Sequence, residues 1–200
     1  VAGKALRAIH DLGSTLVDQA GDIVKGGSTA FAEGSWGRWQ AAFGRAQARH
    51  VAERRPDLVA VLDRALTVLD SAVPLMDAAP ITVVHGDPHP WNVMVAHYDD
   101  GWCCTGWLDW EFAIAGDADF DLTRAARSRL VELGEMPMAF YDGYGRTPHP
   151  TREALYELVY FLHMAKDSQY HVDRATYRYA WTYINCLPSR LEELEALLEL

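Results

Sequence analysis

Ile81-Thr82-Val83-Val84 followed by His85-Gly86-Asp87-Pro88-His89-Pro90-Trp91-Asn92, with Leu108-Asp109-Trp110-Glu111 a short way downstream, is the stretch on which the reading of this chain turns. The β-branched run 81–84 predicts a short buried strand, which hands residues 85–87 to a tight loop at its end. A loop at a strand end faces a cleft, so Asp87 is a candidate for chemistry. Val93-Met94-Val95-Ala96 predicts a second strand, opened by Asn92. Asp99-Asp100-Gly101 predicts a hairpin, its Asp-Gly pair in a type I′ turn that wants positive φ at both central positions. The return strand, Trp102 to Leu108, then runs back antiparallel and sets Asp109 beside Asn92. Two carboxylates and an amide distant in sequence are thereby brought to one place.

Such a set suits phosphoryl transfer from a nucleotide. One carboxylate orients an acceptor hydroxyl and takes its proton, while an amide oxygen and a second carboxylate hold Mg²⁺ on the phosphates. The protein-kinase catalytic loop has the same step from Asp to Asn, with a metal-binding Asp further on. With Gly after the His and a second His after Asp-Pro, the stretch resembles the aminoglycoside phosphotransferase and choline-kinase-like family. That family's usual form is H-G-D-x-H-x-x-N followed by hydrophobic-Asp-Trp-Glu, and Gly116-Asp117-Ala118-Asp119-Phe120-Asp121-Leu122 resembles its G-D-P-x-x-D-L continuation. The resemblance covers residues 81–125 closely and the flanking helices in layout.

The resemblance implies a protein-kinase-like fold with Asp87 as the catalytic residue, Asn92 and Asp109 as metal ligands, and His85, His89, Asn92 and Asp109 as the cofactor-binding set for ATP and Mg²⁺. His85 is also placed to pin the loop through backbone hydrogen bonds. His89 is read two ways, toward the phosphates or as a shaper of the turn. Trp91 departs from the family, where Gly is common, so its ring lies on the surface or narrows the cleft. Glu111 reaches the metal shell or faces solvent or a neighbouring Arg. Asp121 resembles the family's buried structural Asp at a helix start, where a carboxylate caps free N–H groups.

Composition narrows the class. The 200 residues are half hydrophobic and 23% charged, which describes a folded chain with one sizeable core. A formal net charge of −10 disfavours nucleic acid and anionic membranes as partners and favours a cationic small molecule. It also makes Mg²⁺ necessary if ATP is to sit beside Asp87 and Asp109. There is no apolar run of membrane-spanning length and no basic-then-apolar leader, so a cytoplasmic location is expected. Cys103 and Cys104 are adjacent in a predicted strand and Cys186 lies far off, a pattern without a disulfide framework.

Around the central stretch the periodicity is helical. Residues 1–12 place Ala5, Leu6, Ile9 and Leu12 on one face, and Ile9-His10 resembles the helix end that opens the family's C-terminal lobe. Ser14 to Gly34 reads as a loop with a short helical turn. Ser35 to His50 is helical with Trp36, Trp39, Ala42, Phe43 and Ala46 on one face. Asp57 to Val73 is a helix with a stripe of Leu58, Val61, Leu62, Ala65, Leu66 and Leu69, closed by Pro74 and Pro80. Downstream, Asp121 to Leu133 turns Leu122, Ala125, Ala126, Leu130 and Leu133 inward and Arg124, Arg127 and Arg129 outward. Pro137 to Tyr144 is a short helix stopped by Gly145, and Thr151 to Tyr170 buries Leu155, Leu158, Val159 and Leu162. Asp173 to Leu187 is a helix cut by Pro188, and Ser189 with Glu192 forms a capping box for the last one. Tyr141, Tyr144, Tyr156, Tyr160, Tyr170, Tyr177, Tyr179 and Tyr183 are interleaved with Glu132, Glu135, Asp142, Glu153, Glu157, Asp167 and Asp173. These residues either form an acceptor pocket for an amine or straddle the core edge and coat a solvated face.

The expected architecture is therefore α+β, mainly α: a kinase-like C-terminal lobe over residues 1–200, with a small antiparallel hairpin at the cleft. Residues 1–80 form a helical segment, 81–120 the catalytic loop and metal-binding hairpin, and 121–200 a helical acceptor-binding segment. The β-rich nucleotide lobe is missing: no Gly-rich G-x-G-x-x-G follows a strand, and Gly26-Gly27 reads as a loop. A fragment of a longer kinase, partnered by its own N-terminal lobe, is the expectation. The function expected is ATP-dependent phosphorylation of a hydroxyl on an aminoglycoside-like or other amino-bearing metabolite, with antibiotic resistance as a possible setting. Two alternatives stand beside it. One is a non-enzymatic kinase-fold remnant that binds a ligand or partner, and the other is a metallophosphoesterase built on the Asp87-Pro88-His89 pair.

Overall fold

The computed structural model describes residues 1–174 and 180–198, without the side chains of 128–133, 168–174 and 180–184. The chain is mainly helical with two small antiparallel sheets, and it divides into two compact units. This division cuts across the three sequence segments. One unit comprises Val1–Phe31 and Ala79–His149, the other Ala32–Ala78 and Pro150–Leu200.

The first unit begins with α1 (Ala2–Gly13), whose buried face is Gly3, Leu6, His10 and Gly13. Leu12, expected inside, is 62% exposed. The segment read as a loop is a hairpin, β1 (Gly21–Val24) and β2 (Gly27–Ala30), turning at Gly26 with φ of 90°. The 1–80 segment is thus not wholly helical. Its strands escaped the pattern because Gly, Ser, Thr and Asp outnumber apolar residues in them, and their pairing partner comes from far along the chain. That partner is β6 (Ile114–Asp117), which lies between β1 and β3 (Ile81–Val84) in a four-stranded sheet of order β2-β1-β6-β3. The β3 strand falls where the β-branched run predicts it.

The second sheet is the expected hairpin, β4 (Val93–Tyr98) against β5 (Gly101–Trp107). Its turn differs from the type I′ expectation. Gly101 alone takes positive φ, 113°, while Asp99 and Asp100 do not, as in a turn closed by a single left-handed glycine. A register shift between Met94 and Val95 leaves Thr105 as the extra residue. Behind this sheet Leu6, Trp107, Leu122 and Tyr144 form a buried cluster, drawn from α1, β5, α5 (Ala118–Leu133) and α6 (Met138–Tyr144). Gly145 closes α6 in the left-handed conformation, as its position predicts.

The second unit is all helical. Ser35 caps α2 (Trp36–Arg54), which buries Trp36, Gln40, Gly44, Gln47 and Val51. Trp36, Trp39, Phe43 and His163 stack in succession, with centroid separations of 5.4, 5.5 and 5.6 Å. The helix predicted from Asp57 to Val73 is a 3-10 turn at Pro56–Leu58 running into α3 (Val59–Ser71), and a further short helix, α4 (Val73–Asp77), follows it. Pro74 does not end a helix here; it sits in the first turn of α4, where its missing N–H costs nothing. In α7 (Pro150–Arg174), Leu155, Leu158, Val159 and Leu162 are buried as predicted, and Trp36 donates its indole N–H to the Tyr156 hydroxyl at 2.8 Å.

Helix α8 (Ala180–Leu197) corrects the C-terminal reading. Pro188 lies inside it, and Ser189 donates to the Cys186 carbonyl at 3.1 Å instead of capping a new helix. Leu187, Leu191 and Leu194 are at most 2% exposed, and burial of this stripe outweighs one lost backbone bond. Of the expected tyrosines, Tyr144, Tyr156 and Tyr160 are buried. Tyr170, Tyr177, Tyr179, Tyr183, Glu132, Asp173, Arg129, Leu130 and Leu133 lie outside the described side chains.

Candidate active site

Strand β3 ends at Val84 and the chain turns at once. Gly86 has φ of 80°, and a Cβ there would stand 2.2 Å from the Phe112 carbonyl oxygen. Both the conformation and the space therefore demand glycine. The turn is clamped from α5. The Asp121 carboxylate accepts from the His85 N–H at 2.7 Å, the Gly86 N–H at 2.9 Å and His10 Nε2 at 3.0 Å. Asp121 is fully buried. It is the structural carboxylate the sequence suggests, but the N–H groups it caps belong to the loop after β3, while Asp117 caps its helix.

His10 extends the clamp. Its Nε2–H donates to Asp121 and its Nδ1 accepts from the Tyr144 hydroxyl at 2.7 Å. Burial pushes the Tyr144 phenol up to about 12, so this donor stays protonated. Four elements (α1, β3, α5 and α6) thus converge behind the loop that carries Asp87.

His85 is fully buried and both ring nitrogens are engaged by backbone: Nε2 with the Leu108 carbonyl at 2.8 Å and Nδ1 with the Asp87 N–H at 3.2 Å. The ring lies 4.6 Å from that of Trp110 and 5.5 Å from that of Trp107. Of its two expected roles it performs the pinning one. Both ring nitrogens are thus occupied by backbone groups, Nε2 by Leu108 and Nδ1 by Asp87. His89 likewise spends Nδ1 on the turn, accepting from the Trp91 N–H at 3.2 Å. This bond serves the turn-shaping alternative. Trp91 is 70% exposed, so its ring lies on the surface. Glu111 is also exposed.

Asp87 is half-buried. Its carbonyl accepts from the His89 N–H at 2.7 Å and from Asn92 Nδ2 at 3.0 Å, and its carboxylate lies 3.4 Å from the same Nδ2. With the amide nitrogen of Asn92 turned to Asp87, the amide oxygen is left as a ligand atom. The Asn92 carbonyl accepts from the Leu108 N–H at 2.8 Å. Leu108 is therefore gripped at its N–H by Asn92 and at its carbonyl by His85. Asp109 follows directly, exposed and with φ of 64°, the one non-glycine at positive φ among the described residues. Left-handed backbone is uncommon for a residue with a Cβ, and Asp is among those that bear it best. The structure thus joins the Asp87–Asn92 segment to the Asp109 segment through two backbone anchors, which is the juxtaposition the hairpin predicts.

Arg124 was missed. Expected to point outward, its side chain is 15% exposed and its guanidinium lies 3.7 Å from Asp87 Oδ1. The signal was available: Arg124 follows Asp121 by three residues on a helix and so shares its face. Arg127 is likewise partly buried instead of outward.

Residues 2–158 match the sequence profile described as the phosphotransferase enzyme family. A search of curated proteins gives no match. Among solved structures, LicA in complex with AMP superposes with a TM-score of 0.63 at 14% identity, covering 96% of this chain and 61% of that one. The choline kinase LicA from Streptococcus pneumoniae gives 0.62 at 15%, covering 96% and 62%. A choline/ethanolamine kinase family protein from Mesorhizobium loti gives 0.56 at 16%, covering 97% and 61%. The chain spans about three fifths of the length of these structures, and its fold is kinase-like. No described helix is long and apolar enough to cross a membrane.

Proposed function

The chain belongs to the phosphotransferase enzyme family, and on that premise we propose that it is the C-terminal lobe of an ATP-dependent kinase acting on a hydroxyl of a small amino-bearing molecule in the cytoplasm. The observation that carries this reading is the pairing of anchors: Asn92 bonds both Asp87 and Leu108, and His85 bonds the same two residues. The general base and the metal arm are then parts of one rigid assembly.

In this reading Asp87 orients the acceptor hydroxyl and receives its proton as the oxygen attacks the γ-phosphorus. The donor set fits Mg²⁺, a hard cation that takes oxygen ligands. The Asn92 amide oxygen is freed by the bond its nitrogen makes, and the exposed Asp109 carboxylate is held by the anchored Leu108. Bound there, Mg²⁺ would neutralise charge on the phosphates. Asp121, His10 and Tyr144 keep the loop in place from behind. The net charge of −10 favours a cationic acceptor, and the amino alcohol of the choline kinases named above is of that class.

The test is phosphate transfer from ATP by the complete protein to a panel of amino alcohols and aminoglycosides, with Mg²⁺ present. Asp87→Ala and Asp109→Ala should each abolish transfer while the thermal melt stays within a few degrees of the parent. Normal turnover in either variant would refute the assignment.

A further inference from the structure

We propose that Arg124 is a positioning residue for the transfer, holding the Asp87 carboxylate in the orientation from which it takes the acceptor's proton; this rests on the function proposed above. The backbone of Asp87 is fixed at both ends, its N–H on His85 and its carbonyl under the His89 N–H and the Asn92 amide. Its carboxylate is held differently. Oδ2 has Asn92 Nδ2 at 3.4 Å and Oδ1 has the Arg124 guanidinium at 3.7 Å, one neighbour to each oxygen. Both separations are longer than a normal hydrogen bond, so lone pairs remain for an incoming hydroxyl while direction is set by charge.

Arg124 is built into its place. Its guanidinium carbon stands 5.5 Å from the centre of the Phe120 ring, a residue only 5% exposed, so stacking fixes the cation independently of Asp87. Asp121, one turn earlier on the same face of α5, clamps the N–H groups of His85 and Gly86. A single helix face therefore sets the backbone of the loop through Asp121 and the side-chain direction of Asp87 through Arg124. In the transfer the acceptor O–H bond breaks and its proton goes to Asp87. The acceptor oxygen bonds the γ-phosphorus, and the bond from that phosphorus to the bridging oxygen breaks to release ADP. Reacting groups tolerate little misplacement, so a carboxylate free to rotate should lose turnover more than binding.

The experiment compares Arg124→Met, which keeps the stem without the charge, and Arg124→Lys with the parent in the complete protein. The Met variant should lower kcat by about 10- to 100-fold, the scale of a misplaced reacting group, with KM for ATP changed by less than about threefold and Lys restoring part of the loss. A double-mutant cycle of Arg124→Met with Asp87→Asn, read by urea unfolding, reports the pair without any turnover and should be non-additive. A Met variant with kcat within about twofold of the parent, or an additive cycle, overturns the role of Arg124 and leaves the function standing if Asp87→Ala is inactive. A parent protein that transfers no phosphate from ATP overturns the function itself, and the role of Arg124 in a transfer with it.

Discussion

Replacing Asp121 by Ala removes one carboxylate and strands three buried donors: the His85 N–H, the Gly86 N–H and His10 Nε2, which it holds at 2.7, 2.9 and 3.0 Å. A hydrogen bond to a charged partner contributes about 1.5–3 kcal/mol, and a buried donor left unpaired costs about 1–3 kcal/mol. The three donors share one acceptor, so their losses do not simply add. A destabilisation of about 4–5 kcal/mol follows, at the exceptional end of single substitutions. It is a large part of the roughly 5–15 kcal/mol that holds a typical domain together. Asp121→Asn keeps one acceptor oxygen but turns an NH₂ toward the remaining donors, and should fall between Ala and the parent. Urea unfolding of the complete protein measures this as a shift of midpoint at unchanged slope. Tryptophan fluorescence is a suitable probe, because Trp107 and Trp110 pack on the His85 ring. A loss below about 1.5 kcal/mol for Asp121→Ala, no more than one ordinary hydrogen bond, would refute the clamp.

Two further outcomes follow from the same site. Gly86→Ala should cost at least about 2 kcal/mol, because it combines a left-handed backbone with a Cβ driven onto the Phe112 carbonyl; an unchanged urea midpoint would contradict it. Tyr144 gives a pH signature. Its phenol titrates near 10 when unfolded and about 12 when folded, chiefly through burial. Its contribution is complete below pH 10 and is lost as pH rises through 12, an amount of about 2–3 kcal/mol. Tyr144→Phe, less stable at neutral pH through the lost bond to His10, should lose less stability than the parent across that window, and parallel pH profiles would argue against it.

What the sequence revealed and what it hid divide along a physical line. The loop at 85–92, β3 and the β4–β5 hairpin were legible because their signals are local: a β-branched run, a glycine turn and polar residues at fixed spacing. The α7 stripe was legible because four leucines and valines repeat on one helical face. The β1–β2 hairpin was not, since only three of its eight strand residues are apolar and β1 completes its pairing with β6, far along the chain. Pro188 misled for the opposite reason: a local breaker was overruled by burial of Leu187, Leu191 and Leu194. In the site, the loop positions of Asp87, Asn92 and Asp109 could be read from order alone. The full engagement of His85 by backbone and the inward turn of Arg124 depend on which side of β3 and α5 is covered, and that is settled only by the packed whole.

The His85 ring acts as a spacer. One edge meets the peptide that begins Asp87 and the other meets the peptide that precedes Asp109, so the gap between the two arms of the site is set by the width of an imidazole. Neither arm can drift without the other while that ring is in place. Under the proposed function, new acceptors would have to be accommodated by residues outside these two segments, with the separation of the two arms held at one fixed gauge.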